Sequence, residues 1–279
     1  MEKTDIVMVS NGNRGLIYRS LESVQKWMGE RLGLVALSWN GDDAELKKVE
    51  KFARGLDITL AVDVAPYHFS KNNNSLVEKH AKSQNLLFLN DDVELKDNFV
   101  EDASSLLEKP QVGFVGSKLV RPDNKIQHAG VIAFVNSCGG LVAPAHYMYG
   151  HDNTSIPDYT PFAVTGACMM CRRETFLKLG CFNEQYDEGF QDFEICAKAV
   201  CANLTNVCLN ERHCQLHDES ATRDPKVLPH DSDILASFWL GQHSEDDEKS
   251  VPIVCWNNRK GGGGEMKADV FIPYRETNR

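Results

Sequence analysis

The stretch LLFLNDDVEL, residues 86–95, runs four apolar residues straight into Asn90, Asp91 and Asp92, with Glu94 two places on. Carboxylate and amide oxygens are hard donors, and grouped at a strand end they suit a divalent cation such as Mg²⁺ or Mn²⁺. A solvated turn after a strand is the plainer reading of an isolated Asp-Asp pair. Two further strand-like runs also end in polar residues. DIVMVS leads to Ser10 and Asn11, and LGLVALSW leads to Asn40 and Asp42. A separate set is made of sulfur and imidazole: Cys168 and Cys171 form a CxxC, with Cys208, His213, Cys214 and His217 downstream. Structural zinc is the chemistry such ligands would do, although no second CxxC follows and the spacings are mixed. No Ser-His-Asp or Cys-His pattern for nucleophilic catalysis stands out.

The elements around these residues alternate. DIVMVS, LGLVALSW, DITLAVDV and LLFLN are short, continuously apolar strands. Between them, helices are predicted over 16–32, around AELKKVEKFARGL and over NNSLVEKHAKSQ; in the second, Leu46, Val49, Phe52 and Leu56 recur three or four apart. Strands apolar throughout and separated by helices indicate a parallel sheet covered on both faces, an α/β fold. In such sheets ligands bind beyond the carboxyl ends of the strands, where the three polar ends above converge. Further along, a helix near 97–108, a strand VGFVGSKLV, irregular chain over 126–161, a strand FAVTGACMMC and a short helix RRETFLKLG are predicted. A helix DFEICAKAV begins at or near Asp192, and SDILASFWLGQ is the last substantial helix.

The 279 residues suffice for one large domain, placed at 1–244. Residues 245–279, with EDDEK and GGGG, read as a linker and a C-terminal strand. That strand either joins the domain or begins a second, truncated module; a disordered tail is the plain alternative. A net charge of −10 argues against nucleic acid or an anionic membrane as principal partner. No run approaches the roughly 20 apolar residues that cross a bilayer, and MEKTDIVMVS lacks the apolar region of a signal peptide. Nine cysteines, an odd number set mostly in apolar runs, suit thiols in a reducing compartment, so a cytoplasmic location is expected. The Asn-x-Ser/Thr triplets at Asn73, Asn153 and Asn203 are then chance matches.

Four blocks, FSKNNNSLVEKHAKSQNLLFLNDDVEL, VGFVGSKLVRPDNKIQHAGVIAF, VTGACMMCRRETFLKLGCFNEQYDEGFQDFEIC and LHDES, share the order and spacing of the family 2 glycosyltransferases. The chain resembles in particular the bacterial and viral branch that builds rhamnose- or galactose-containing surface polysaccharides, over residues 4 to 225. The resemblance implies the GT-A fold, a Rossmann-like, mostly parallel sheet flanked by helices and fused to an acceptor-binding half.

It also implies roles. Asn90, Asp91 and Asp92 match the family's DxD element, with Asn in place of the first Asp. Asp92 would ligate Mn²⁺ or Mg²⁺ on the donor diphosphate, and Asp91 would face the nucleotide ribose or phosphate. His217 in LHDES matches the histidine that completes the metal site, and imidazole favours Mn²⁺ somewhat. Asp192 in GFQDFEIC matches the general base of the Glu-Asp motif, Gln191 replacing the Glu. A helix cap is the bland reading of Asp192, and a helix start also favours an anionic carboxylate. Ser10 and Asn11 match the Thr-Tyr at the first strand. Asn40 and Asp42, or Asp43 in its place, lie where relatives hold the base, and Asp63 is a weaker candidate. Lys71 would be the nearest cation to the diphosphate, with Asn73 or Asn74 beside it, against the reading of a solvated lysine. Gly166 and Ala167 would line the donor sugar. In QHAG, residues 127–130, His128 is expected to be structural; His146 and Tyr147 would touch the acceptor or pack as a lid.

The activity so implied is a metal-dependent, inverting transfer of a hexose from a UDP- or dTDP-linked donor to a hydroxyl of a growing glycan. Fusion to further glycosyltransferase domains would fit this role. A sugar-1-phosphate nucleotidyltransferase is the rival enzyme, for which SNGNRG offers only a faint Gly-rich loop. A non-catalytic glycan-binding module is the rival of another class.

Overall fold

A computed structural model describes residues 2–12, 15–135, 141–218 and 229–241. Strand β1, Thr4–Ser10, is buried along its whole length. It feeds α1, Leu16–Met28, whose Ile17, Leu21, Val24 and Met28 form one buried face. Gly29 ends that helix at φ 50°, so it stops before the predicted residue 32, and a single 3₁₀ turn, Gly29–Arg31, leads on. Strand β2 is Leu32–Trp39 and β3 is Leu60–Val64, joined by α2, Asp43–Gly55. Helix α3, Phe69–Lys79, starts ahead of the predicted stretch because the His68 ring accepts the Lys71 N–H at 3.3 Å. Then come β4, Asn85–Leu89, the two-residue β5, Val93–Glu94, and α4, Phe99–Leu107.

The second half opens with β6, Val112–Val120, and β7, Ile126–His128. Strands β8, Val131–Val135, and β9, Leu141–His146, make a separate antiparallel pair, so 126–161 is more regular than its Gly, Pro, His and Tyr content implied. Next are β10, Cys168–Arg172, α5, Arg173–Lys178, and α6, Gln191–Cys201. Last come β11, Thr205–His217, and α7, Pro229–Gly241. The predicted strand FAVTGACMMC is shortened to its final part. Ala163 exchanges both backbone hydrogen bonds with Val131, and Cys168 N–H turns back to Thr165 O, so 162–167 never enters the sheet.

The main sheet runs β3-β2-β1-β4-β10-β6-β11-β5, with β7 on β6. Strands β3, β2, β1 and β4 are parallel, as are β6 and β11. Strand β10 lies antiparallel between β4 and β6. Alternate residues feed two cores: Ile6, Met8, Leu87 and Leu89 pack on one face, and Val7, Leu86 and Phe88 on the other. The same alternation separates the CxxC cysteines, because Cys168 faces the first core and Cys171 the second. Two ligands on opposite faces of one strand cannot share an ion, which disposes of a zinc site on that pair. Among the described residues no helix is long and apolar enough to cross a membrane. The 245–279 segment, Asn13 and Arg14 lie outside the described residues.

Candidate active site

Three parallel strands deliver their ends to one rim. At the end of β1, Ser10 Oγ donates to Asp91 Oδ2 at 2.5 Å and accepts Gly12 N–H at 3.1 Å. Asn40 N–H donates to Ser10 O at 2.9 Å, which brings the β2 end alongside. The two following loops touch backbone to backbone. A Cβ on Gly12, which sits at φ 75°, would stand 2.8 Å from Gly41 Cα, so only glycine serves there. The Asp91 carboxyl is pushed up to about 6, chiefly by burial; the neighbouring Asp92 charge adds to this, and the Ser10 hydrogen bond opposes it.

The rim continues across β10. Asn90 N–H donates to Ala167 O at 3.0 Å, joining the NDD turn to the residue just before β10. One place earlier, Gly166 N–H donates to Asp192 Oδ2 at 2.8 Å, while Asp192 Oδ1 accepts Phe193 N–H at 2.8 Å. Asp192 is thus the second residue of α6, and the helix begins after Phe190 at φ 71°. A Cβ on Gly166 would lie 3.1 Å from Phe69 Cζ and 3.4 Å from Asp192 Cβ. Glycine therefore gives both the short hydrogen bond and the room beside it.

Strand β11 supplies the remaining side chain. Its pairing with β6 slips between Leu209 and Cys214, and beyond the slip it rejoins β6 while its other edge takes β5, His217 opposite Val93. His217 Nε2 lies 3.1 Å from Asp92 Oδ1, and Nδ1 lies 3.1 Å from Gln127 Oε1. Both groups are largely withdrawn from water, with side-chain exposures of 6% and 16%. Asp218 N–H closes the corner on Asp92 O at 3.0 Å, and its carboxylate pairs with Arg19 of α1 at 2.6 Å.

Among the described residues no three His, Cys, Asp or Glu side chains surround one point. The Asp92–His217 pair offers one hard oxygen and one imidazole nitrogen. That set fits a cation completed by phosphate oxygens, the usual habit of Mg²⁺ sites, rather than an all-protein cage.

Several other residues predicted for the site are engaged by their own elements. Asp42 is the α2 N-cap, its Oδ1 accepting Ala44 and Glu45 N–H at 2.8 and 3.0 Å. Asp63 is held by Lys79 and His80, each at 2.8 Å. Lys71 is exposed in the first turn of α3, two residues from Phe69. Asn73 and Asn74 turn to backbone oxygens of Phe69 and Phe182, each at 2.9 Å. His128 is fully buried; its Nε2 accepts Gly130 and Thr165 N–H, and its Nδ1 meets His146 Nδ1 at 2.8 Å. Burial, then the His146 and His217 rings, hold its pKa well below the ordinary imidazole value, so it stays neutral. His213 lies apart from the rim, clasped by Asp97 and Asp102 at 2.8 and 2.9 Å. Two contributors escaped the sequence reading: Gln127, whose QHAG context was noted without a task, and Asp231 of α7, which no motif marks.

No protein-family profile matches the chain. It is 31% identical over 182 residues to the O-antigen biosynthesis protein RfbC of Myxococcus xanthus, covering 63% of this chain and 14% of that protein. It is 32% identical over 176 residues to the uncharacterized protein y4gI of Sinorhizobium fredii (strain NBRC 101917 / NGR234), covering 60% and 19%. The chain thus spans less than a fifth of these relatives' length. Among solved structures, GalNAc-T7 with UDP, GalNAc and Mn²⁺ superposes with a TM-score of 0.64 at 14% identity, covering 78% of this chain and 44% of that one. S. aureus TarS superposes at 0.56 and 14% identity, covering 77% and 36%. The fold is that of the GT-A glycosyltransferases, and the likeness to family 2 seen in the motifs agrees with it.

Proposed function

We propose that this chain is a metal-dependent, inverting glycosyltransferase that moves a hexose from a nucleoside diphosphate sugar to a hydroxyl of a glycan. The single observation that carries the reading is a continuous run of contacts along one rim. It leads from Ser10–Asp91 through Asn90–Ala167 to Gly166–Asp192, with Asp92–His217 beside it. Asp192 holds two backbone N–H groups and keeps free lone pairs on the same carboxylate. It takes the proton of the attacking hydroxyl, which approaches the anomeric carbon opposite the diphosphate. Gly166 and Ala167 line the hexose, Ser10 with Asp91 orients the ribose, and Asn11, Asn40 and Asp42 flank the base. Lys71, exposed in the first turn of α3, would be the cation that meets the diphosphate. Asp92 and His217 would hold Mn²⁺ or Mg²⁺, which when bound neutralises charge gathering on the leaving diphosphate.

The GalNAc-T7 structure was solved with UDP and Mn²⁺, which supports this donor and metal class. The O-antigen name of one relative supports a surface-polysaccharide acceptor. Buried free thiols such as Cys168, Cys171, Cys196 and Cys208 support a cytoplasmic site of action. Residues 1–244 form the transferase domain in this reading, and 245–279 the linker and strand beyond it.

The test is thermal stabilisation by UDP-glucose, UDP-galactose, UDP-GlcNAc and dTDP-rhamnose, with and without Mn²⁺. At a hundredfold excess over Kd a true donor should raise Tm by on the order of 5 °C, with Mn²⁺ only. No Mn²⁺-dependent shift with any of the four would remove the reading.

A further inference from the structure

Asp231, in the first turn of α7, is 1% exposed. A carboxylate so buried must be matched by donors, and its partners are all backbone. Its Oδ1 accepts Asp187 N–H at 2.9 Å, and its Oδ2 accepts Glu188 and Gly189 N–H, each at 2.8 Å. Three consecutive N–H groups turned onto one side chain make a nest, which gives that loop a single shape. The loop runs directly into Phe190 and then α6, where Asp192 is the second residue. Phe190 at φ 71° is in a region that a bulky residue leaves unless its surroundings hold it. Downstream of Asp192, α7 grips again. Trp239, 2% exposed, stacks on Phe193 at 6.3 Å and 26° and lies 5.6 Å from Phe162.

Helix α7 therefore holds the chain on both sides of Asp192, by charge before it and by ring stacking after it. We infer that Asp231 is a positioning residue for Asp192: it fixes 187–189 so that the Asp192 carboxylate emerges against Gly166 N–H, facing the sugar. This rests on reading Asp192 as the base. Asp231 itself touches no reacting atom.

The experiment compares wild type, Asp231→Asn, Asp231→Ala and Asp192→Asn at 25 °C, below their melting points. Turnover is UDP or dTDP release, with Mn²⁺, from whichever of the four sugar nucleotides above reacts fastest; binding is read with UDP and Mn²⁺. The Asn variant sets an amide N–H against a backbone N–H, and the Ala variant leaves all three N–H groups unpaired. Both should lose about 10- to 100-fold in kcat, the scale of a misplaced catalytic group. UDP affinity should hold within about twofold, the split expected when only the reacting geometry suffers. Hydrogen exchange of 187–194 should quicken at least about tenfold in both, because the loop opens without its anchor. A purely structural residue would lower Tm and leave kcat alone.

Exchange over 190–194 in Asp231→Asn equal to wild type would overturn the inference, whatever the turnover. So would wild-type turnover in Asp231→Asn beside an inactive Asp192→Asn, and that outcome leaves the base reading intact. Wild-type turnover in Asp192→Asn would remove the base reading and this inference together.

Discussion

Gln127 Oε1 lies 3.1 Å from Nδ1 of His217, and the opposite ring nitrogen lies 3.1 Å from Asp92 Oδ1. An amide oxygen only accepts, so Nδ1 donates to Gln127, and Nε2 meets the Asp92 carboxylate either as an N–H donor or across a bound cation. Gln127 thus holds the ring in the orientation that a metal at Nε2 would need.

Gln127→Ala should weaken Mn²⁺ binding about 10- to 100-fold, the range for losing an outer partner of a metal-bound histidine. Titration calorimetry of Mn²⁺ into protein saturated with UDP reads this directly. An unchanged affinity would mean the ring is oriented by something other than Gln127.

The two acids of the site should separate. Asp192→Asn removes a proton acceptor and should cost about 10²- to 10⁴-fold in turnover, with UDP affinity in Mn²⁺ kept. Asp92→Ala should instead abolish the Mn²⁺-dependent part of UDP binding. If Asp92→Ala binds UDP as wild type does in Mn²⁺, the ion is held elsewhere.

Gly166→Ala places a methyl 3.1 Å from Phe69 Cζ and 3.4 Å from Asp192 Cβ. Phe69 must give by a few tenths of an ångström, while Asp192 Cβ is left at the edge of ordinary contact beside the Gly166 N–H that donates to its carboxylate. Turnover should fall on the order of tenfold or more, with a small change in Tm. A crystal structure of the variant with Asp192 unmoved and full activity would contradict this.

His213 predicts a pH dependence of stability away from the rim. Its burial opposes the charge, yet the hydrogen bonds its ring donates to Asp97 and Asp102, with their negative charge, outweigh this and raise it above the ordinary 6.5. Asp97 is likewise opposed by burial, but its bonds to His213, Cys214 N–H and Gln215 draw it below 3.8. A raised imidazole contributes fully below 6.5 and loses its contribution as pH rises through the folded value. A lowered carboxylate contributes fully above 3.8 and loses its share as pH falls through the folded value. The pair therefore stabilises most between 3.8 and 6.5. His213→Gln should cost about 2 kcal/mol in that window, and the gap in Tm from wild type should narrow above it. A gap independent of pH up to about 9 would show that His213 is neutral in the fold.

The parts of the fold that could be read ahead were those where one chemical property dominates a run. Strands β1, β2 and β4 are apolar on both faces because both faces are covered, and their polar ends then mark the rim. Strand β11 was missed for the opposite reason. Asn206, Asn210, His213, Gln215 and His217 are all buried in it, each matched to a specific partner, so its interior looks like surface in the sequence. Pairing with β6 and β5 overrides its weak propensity. The predicted strand over 162–171 holds only from Cys168, because Ala163 pairs with Val131 instead, a contact no local pattern encodes. Asp231 was invisible in the same way, since its partners are backbone groups some forty residues earlier.

The excursion from Arg121 to Gly166 sets out at the end of β6, pairs back on it through β7, and returns at the start of β10, on the same rim. Its neck is cinched by one imidazole, His128, which takes the N–H groups of both Gly130 and Thr165. Because β10 runs against its neighbours, the returning chain re-enters head first beside the point from which it set out. Above that neck the segment is sewn to β11 as well, where Tyr159 and Cys208 exchange backbone hydrogen bonds and Asp158 Oδ1 accepts the Asn210 and Glu211 N–H groups. Any replacement for 131–163 would therefore have to carry these stitches with it, or β11 and the His217 at its end would shift.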